Sequence, residues 1–389
     1  MSKRKIERKI SDFYAVFFML IAASFTGSLL WIQTHYYEPD TFEGIIYKKP
    51  PRKPMEFRKI EKPKPDPVSM KKLKSQGCVT DGLLSEYNPD REEYIGLMNR
   101  SNCYYFHRAV ETWLTPPDFE TIEYVMSRIT KKDVVYGMFI AEAIKTNAHY
   151  IFPEEDREFD FDKMCQEGSE NIWGEHSCKP DFGSGEYRNY MRYITRRAMD
   201  LGIQSFTFGQ IYFQENGRRD KVIEVVKEMR AYAKKKKLNI VIGAQTGKIT
   251  DSKFISMFDY IEGGVGIDEE GNLPEGPCLD RWGGCWALLW HENYSRSAKN
   301  VLLHLDWTGI KTDDLDIFAR MDKETRAQTL RNVYNYFNLK DMGFLMPFFG
   351  VLDKENGGCY GPKKRFYSPD NEYSCKDEDV INSILSGKK

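Results

Sequence analysis

The chain has 389 residues, a formal net charge of −1, 41% hydrophobic residues and 14% aromatics. That length is enough to bury a core as one large α/β barrel or as two domains, and the near-neutral charge excludes a basic nucleic-acid-binding domain. The aromatic share suits a surface that meets flat polar ligands such as sugars, and equally a packed core.

Residues 1–12 include Lys3, Arg4, Lys5, Arg8 and Lys9, and residues 13–32 (FYAVFFMLIAASFTGSLLWI) carry no charge. Twenty apolar residues at the helical rise span ~30 Å, the thickness of a bilayer's hydrocarbon core. Basic residues stay on the cytoplasmic side, so the run reads as a type II signal anchor with everything after Ile32 outside the cytoplasm. A cleaved signal peptide is the competing reading; its apolar stretch is usually shorter, and Ala22-Ala23-Ser24 sits inside a continuing apolar run. Residues 33–76 form a stem rich in Pro and Lys (KKPPRKP, EKPKPDP), a composition that keeps a segment extended and solvated.

The domain expected from residue 77 to 389 holds all eight cysteines: Cys78, Cys103, Cys165, Cys178, Cys278, Cys285, Cys359 and Cys375. An even count beyond a membrane span favours disulfides. Proximity in the chain suggests the pairs Cys78–Cys103, Cys165–Cys178, Cys278–Cys285 and Cys359–Cys375. No CxxC spacing occurs and the six histidines are scattered, so no metal and no cofactor is expected.

Along this domain, β-rich runs alternate with helical periodicity. The predicted strands are 81–87, 103–110, 134–142 and 205–213, then 239–245, 260–267, 301–306 and 343–351. The predicted helices are 118–129 after Pro116-Pro117, then 185–201, 220–237, 323–339 and 377–385. The third connection carries a long loop, 145–184, and the sixth a Gly/Trp-rich stretch. There Trp282, Trp286 and Trp290 have the spacing of a packed helix stripe. Eight strands with helical connections predict an α/β fold, a (β/α)8 TIM barrel behind a single N-terminal transmembrane helix. An open doubly wound sheet is the alternative, although no phosphate-binding glycine motif follows any strand.

Barrel enzymes place their sites at the C-terminal ends of the strands. The expected strand ends deliver Glu86; His107 and Arg108, with Glu111 and Trp113 beyond; Glu142; Gln210, Tyr212 and Glu215; Gln245; and His304, Asp306 and Trp307. Glu262 comes early in the sixth strand. Carboxylates and amides bind hydroxyls, and aromatic rings stack on sugars, so this set points to a glycan ligand. In strand order and polar strand ends the chain resembles the (β/α)8 glycoside hydrolases. In the largest clan of that group a Glu ending the fourth strand is the acid/base and a Glu ending the seventh is the nucleophile. Here those places hold Gln210 and Asp306, with no Asn-Glu pair at the fourth strand.

Glu142 and Asp306, each closing an apolar strand, are therefore the expected catalytic carboxyls, since partial desolvation suits one of them to act as an acid. Glu86, Arg108, Gln210, Tyr212, Glu215, Gln245, His304 and Trp307 are the expected substrate contacts. Arg108 has a second reading as a partner of Glu86 or Glu142, and His304 as a satisfied core histidine. A catalytically inactive barrel that binds glycans or a protein at the cell surface is the rival function. Asp314-Leu315-Asp316 has the spacing of a glycosyltransferase metal motif but falls at a predicted helix start.

Overall fold

The computed structural model describes residues 67–85, 91–247, 249–273, 298–307, 309, 311–353, 366–372 and 375–387. The predicted anchor at 13–32, Glu86, the three tryptophans of the Gly/Trp-rich stretch and cysteines 278, 285 and 359 lie outside these residues. No helix among the described residues is long and apolar enough to cross a membrane.

In chain order, the first half contains α1 (Met70–Ser75), β1 (Gly77–Val79), α2 (Arg91–Arg100), β2 (Tyr105–Glu111), α3 (Phe119–Arg128), β3 (Val135–Ile140) and α4 (Gly185–Leu201). Next come β4 (Ser205–Phe208), α5 (Ile211–Gln214), α6 (Arg219–Lys236), β5 (Val241–Ala244), α7 (Ser252–Ile255) and β6 (Tyr260–Gly264). The chain continues with β7 (Val301–His304), α8 (Asp314–Arg320), α9 (Lys323–Asn338), β8 and α10 (Glu378–Leu385). Strand β8 has two halves: Gly343–Phe344 pairs with β7, and Met346–Pro347 pairs with β1. Every pairing in this sheet is parallel, and the split strand closes it on itself. The predicted (β/α)8 barrel is thus observed, and the open doubly wound sheet is excluded by the closure.

Local sequence explains the outer helices. Pro116-Pro117 cannot continue a helix backwards, and the Asp118 side chain caps α3 by accepting from the amides of Glu120 and Thr121. Ser184 caps α4, which ends at Gly202 in the left-handed region (φ 99°), where only glycine is free of strain. Lys234, Lys235 and Lys236 end α6, where positive charge suits the exposed carbonyls. The strands are buried on both faces, as parallel barrel strands are.

Three boundaries differ from expectation. The first strand is Gly77–Val79, not 81–87; Gly82 and Leu84 instead donate backbone bonds to Arg108 and Ala109 of a bulged β2. The fourth stops at Phe208, because Gln210 takes up φ 26° and turns the chain into α5. The eighth breaks at Leu345, and Gly350–Val351 belongs to a separate antiparallel pair with Phe366–Tyr367. In each case a run of buried apolar residues resembles one strand, although it is shared between a strand and the turn beyond it. The ordered structure also reaches back to α1, whose Leu73 is fully buried, whereas composition places these residues in the stem.

The 145–184 insertion is folded. Its ends pair antiparallel (Ile144–Lys145 with Ser177–Cys178), and it packs Phe152 and Phe159 on Tyr190 and Tyr193 of α4. Two of the expected disulfides are present, Cys78–Cys103 and Cys165–Cys178. Cys375 is disulfide-bonded as well. The first bridge ties β1 to the residues entering β2. Replacing both Cys78 and Cys103 by alanine is expected to cost about 2–5 kcal/mol of stability, read by denaturant unfolding.

Candidate active site

The C-terminal mouth of the barrel is built around Arg108. A register shift between Phe106 and Val110 puts a bulge in β2, and Arg108 sits in it with φ 55°, a region that non-glycine residues rarely occupy. Its guanidinium lies 3.8 Å from the Phe139 ring centre and 4.5 Å from that of Trp307. Its Nε and Nη2 donate to Glu111 Oε2 at 2.9 and 2.6 Å. The other Glu111 oxygen accepts from the amides of Thr112 and Trp113. Among the described residues the partner of Arg108 is therefore Glu111, three residues on, and not Glu142. Asp81, beyond β1, adds a second negative charge beside the guanidinium.

Glu142 follows β3 and is 2% exposed. Gln210 Nε2 donates to its Oε1 at 2.5 Å, while Oε2 is buried without a hydrogen-bond partner. Gly209 makes room for that second oxygen, since a Cβ there would stand 2.5 Å from it. Burial pushes the Glu142 carboxyl up to about 7. Asp306 follows β7, and its Oδ1 is likewise buried and without a partner. Burial, then the charges of Asp313 and Asp314, push the Asp306 carboxyl well above the usual range; Arg108 opposes the shift. The Tyr212 phenol lies in the field of both Glu142 and Asp306. Among the described residues neither forms an ion pair with a lysine or arginine.

A buried relay supports Glu142 from below. Tyr212 donates to Gln210 Oε1 at 2.7 Å, and the Gln210 amide N donates to Gln245 Oε1 at 3.0 Å. Gln245 Nε2 then donates to Glu262 Oε1, also at 3.0 Å. The relay accounts for the backbone of Gln210: Gln245 and Tyr212 hold the residue against Glu142 despite the positive φ. Below Glu262 the barrel is filled by a hydroxyl cluster. Tyr260 meets Ser205 at 2.9 Å and Thr207 at 2.6 Å, and Tyr105 meets Ser205 at 2.9 Å. Gly243 leaves space for this layer, since a Cβ there would sit 2.0 Å from the Tyr260 ring.

The remaining expectations divide. Gln210, Tyr212, Gln245 and Trp307 are at the mouth as expected. Glu215 is not part of it, because it pairs with Arg219 at 2.8 Å, one helical turn on. His304 is fully buried beneath the mouth with Trp307 against it (ring centres 5.3 Å apart), and so is placed below direct substrate contact. Its Nε2 has no hydrogen-bond partner, which also departs from a satisfied core histidine. The Asp-x-Asp motif is structural: Asp314 accepts from the amides of Gly266 and Ile267, and Asp316 pairs with Arg320 and accepts from the Asp353 amide.

Sequence patterning places His107 at a strand end and Glu262 early in a strand, but gives neither a catalytic or substrate-binding role. Both lie inside strands buried on each face, so no polar–apolar alternation marks them. With His304 they form a compact set of nitrogen and carboxylate donors suited to a cation. An aromatic string borders the mouth: Trp113 and Trp173 are 5.5 Å apart, Trp173 and Phe213 6.3 Å, and Tyr212 and Phe213 4.5 Å. Trp113, at 37% exposure, is the most open ring of the string.

No family model and no curated protein sequence matches the chain. Solved structures of similar fold include a GH113 β-1,4-mannanase, at 14% identity and a TM-score of 0.48, covering 81% of this chain and 99% of that one. A second GH113 β-mannanase, AaManA from Alicyclobacillus acidocaldarius, matches at 11% identity and TM-score 0.46, covering 80% of this chain and 97% of that one. The glycoside hydrolase domain of PelA from Pseudomonas aeruginosa matches at 9% identity and TM-score 0.41, covering 72% and 95%. These likenesses are to glycoside hydrolase barrels in fold and carry no argument on activity.

Proposed function

We propose that this barrel is a glycoside hydrolase that uses Asp306 as the proton donor and Glu142 as the base or nucleophile. The carrying observation is that two carboxyls at strand ends, each with one buried, unpartnered oxygen, face one phenol and have no lysine or arginine partner among the described residues. Hydrolysis of a glycosidic bond needs one carboxyl to protonate the leaving oxygen and one carboxylate to attack or to activate water. Two carboxyls pushed up by different amounts divide those roles. Asp306, whose carboxyl is pushed up by burial and then by Asp313 and Asp314, suits the acid. Glu142, poised near 7 and bonded to an amide that favours its charged form, suits the base.

The rival reading, an inactive glycan-binding barrel, predicts that strand-end carboxylates are locked to cations. Glu111 and Glu215 are so locked, whereas Glu142 and Asp306 are not. The aromatic string from Trp113 to Tyr212 supports a sugar ligand, since pyranose faces stack on such rings. We also place the domain outside the cytoplasm, held by the apolar run 13–32, a location that the disulfides support.

The test is a hydrolysis screen of the purified full chain against polysaccharides and aryl glycosides, with Asp306→Asn alongside. Turnover in the parent is expected. The Asn variant should lose about 10²–10⁴-fold on natural linkages and recover much of that on substrates whose leaving group needs no proton. Glycan binding without any turnover in the parent would sink the enzyme reading.

A further inference from the structure

The barrel interior next to Arg108 holds three fully buried polar atoms without a hydrogen-bond partner: His107 Nε2, Glu262 Oε2 and His304 Nε2. All three residues offer donor atoms within 4.8 Å of one another. We propose that His107, Glu262 and His304 bind a divalent first-row transition ion through these atoms. This site is separate from the carboxyl pair of the proposed hydrolase, and the inference does not depend on that activity.

The remaining polar atom of each residue is already committed, as it is in metal ligands whose outer partners orient them. His304 Nδ1 lies 3.2 Å from the Leu305 carbonyl, which can only accept. The proton is therefore on Nδ1, and Nε2 presents a lone pair. His107 Nδ1 is held by the Tyr105 hydroxyl at 2.7 Å, and Glu262 Oε1 accepts from Gln245. Two imidazole nitrogens and one carboxylate oxygen are left over, the donor set of many zinc and iron(II) sites.

The bland alternative is a plain His107–Glu262 ion pair. Their Nε2 and Oε2 are 2.7 Å apart, close enough for an ion pair, although neither atom meets hydrogen-bond geometry. Two ligands at about 2.1 Å from one ion stand roughly 3.0–3.4 Å apart at octahedral or tetrahedral angles, so the two atoms part by a few tenths of an ångström to take one up. The ion pair also leaves the His304 lone pair facing a carboxylate, 3.9 Å from Oε1, with both side chains fully buried. A cation resolves both contacts. The surrounding charge favours one too: Glu262, Glu111 and Asp81 all lie in the field of a single guanidinium, Arg108. Because Glu262 also holds Gln245, the ion would stiffen the relay that positions Gln210 against Glu142.

The experiment is elemental analysis of the full chain from cells grown in medium containing zinc, iron and cobalt, after extensive dialysis. About one equivalent of a transition ion per chain is expected. Cobalt-loaded protein should show visible absorption bands that disappear in Glu262→Gln and in His304→Asn. A chelator should lower the thermal midpoint of the parent and leave that of the variants unchanged. Folded parent protein with less than about a tenth of an equivalent of any transition ion overturns the proposal, and the atoms are then bridged by water or a proton. Equal metal content in parent and variants overturns the site assignment. The parent measurement decides the matter even if a variant fails to fold.

Discussion

Replacing Glu142 by glutamine is expected to lower kcat/KM by about 10²–10⁴-fold on natural glycans and on activated aryl glycosides alike. Glutamine preserves the shape of the side chain and its contact with Gln210, so the loss measures the missing negative oxygen. A base or nucleophile is needed whatever the leaving group, and that separates its role from that of Asp306. The pH profile provides a second, independent reading. The Glu142 carboxyl is raised to about 7 by burial and must be ionised to act, so parental activity should fall as pH drops through that value. An acidic limb near 7 in kcat/KM is the expected signature, and it should be missing from any residual activity of the Gln variant. If Glu142→Gln keeps its activity on a dinitrophenyl glycoside while losing it on natural linkages, the two carboxyls exchange roles. Unchanged turnover on every substrate would remove Glu142 from the mechanism.

Arg326→Met is expected to be among the most damaging single changes to stability, at about 3–5 kcal/mol. Arg326 lies near the start of α9 and is 5% exposed. Its Nε donates to Asp377 Oδ2 at 2.8 Å, Nη1 to the Met321 carbonyl at 2.6 Å and Nη2 to the Cys375 carbonyl at 2.7 Å. It thereby ties the last barrel helix to the segment that leads into α10. Removing the guanidinium leaves the buried Asp377 carboxylate with only the Tyr367 hydroxyl at 3.1 Å, and strips two carbonyls of a charged donor. The thermal midpoint should fall by roughly 10 °C, at a few degrees per kcal/mol for a domain of this size. Adding Asp377→Leu should restore much of the loss, because the cost comes mainly from the stranded charge. A single variant within 1 °C of the parent would show that the pair contributes little, and that α10 docks by its apolar face alone.

Both predictions rest on carboxylates, and these are legible in the sequence to different degrees. Glu142 and Asp306 stand out because each closes a run of apolar residues, and a barrel exposes the residues just past the C-terminal ends of its strands. Glu215 meets the same criterion and fails, because the chain turns at Gln210 into α5 and carries Glu215 away to Arg219. Arg108 is marked by its place at a strand end, but its partner is not. A bulge that adds two residues to β2 cannot be read from alternation in a strand buried on both faces. The same lack of alternation hides the roles of His107 and Glu262.

By itself the sequence determined five of the helices (α3, α4, α6, α9 and α10), the barrel's strand count and two of the disulfide pairs. Those features arise from local causes: proline and serine or aspartate before a helix, apolar periodicity along it, and cysteines close in the chain. Only the tertiary structure decided which polar side chains share a space. The closure of the sheet through the split eighth strand brings Glu142 and Asp306 to one phenol, and stacks His107, Glu262 and His304 beneath them, from strands far apart in the chain. Such meetings depend on register and on the curvature of a closed sheet, which no window of sequence contains.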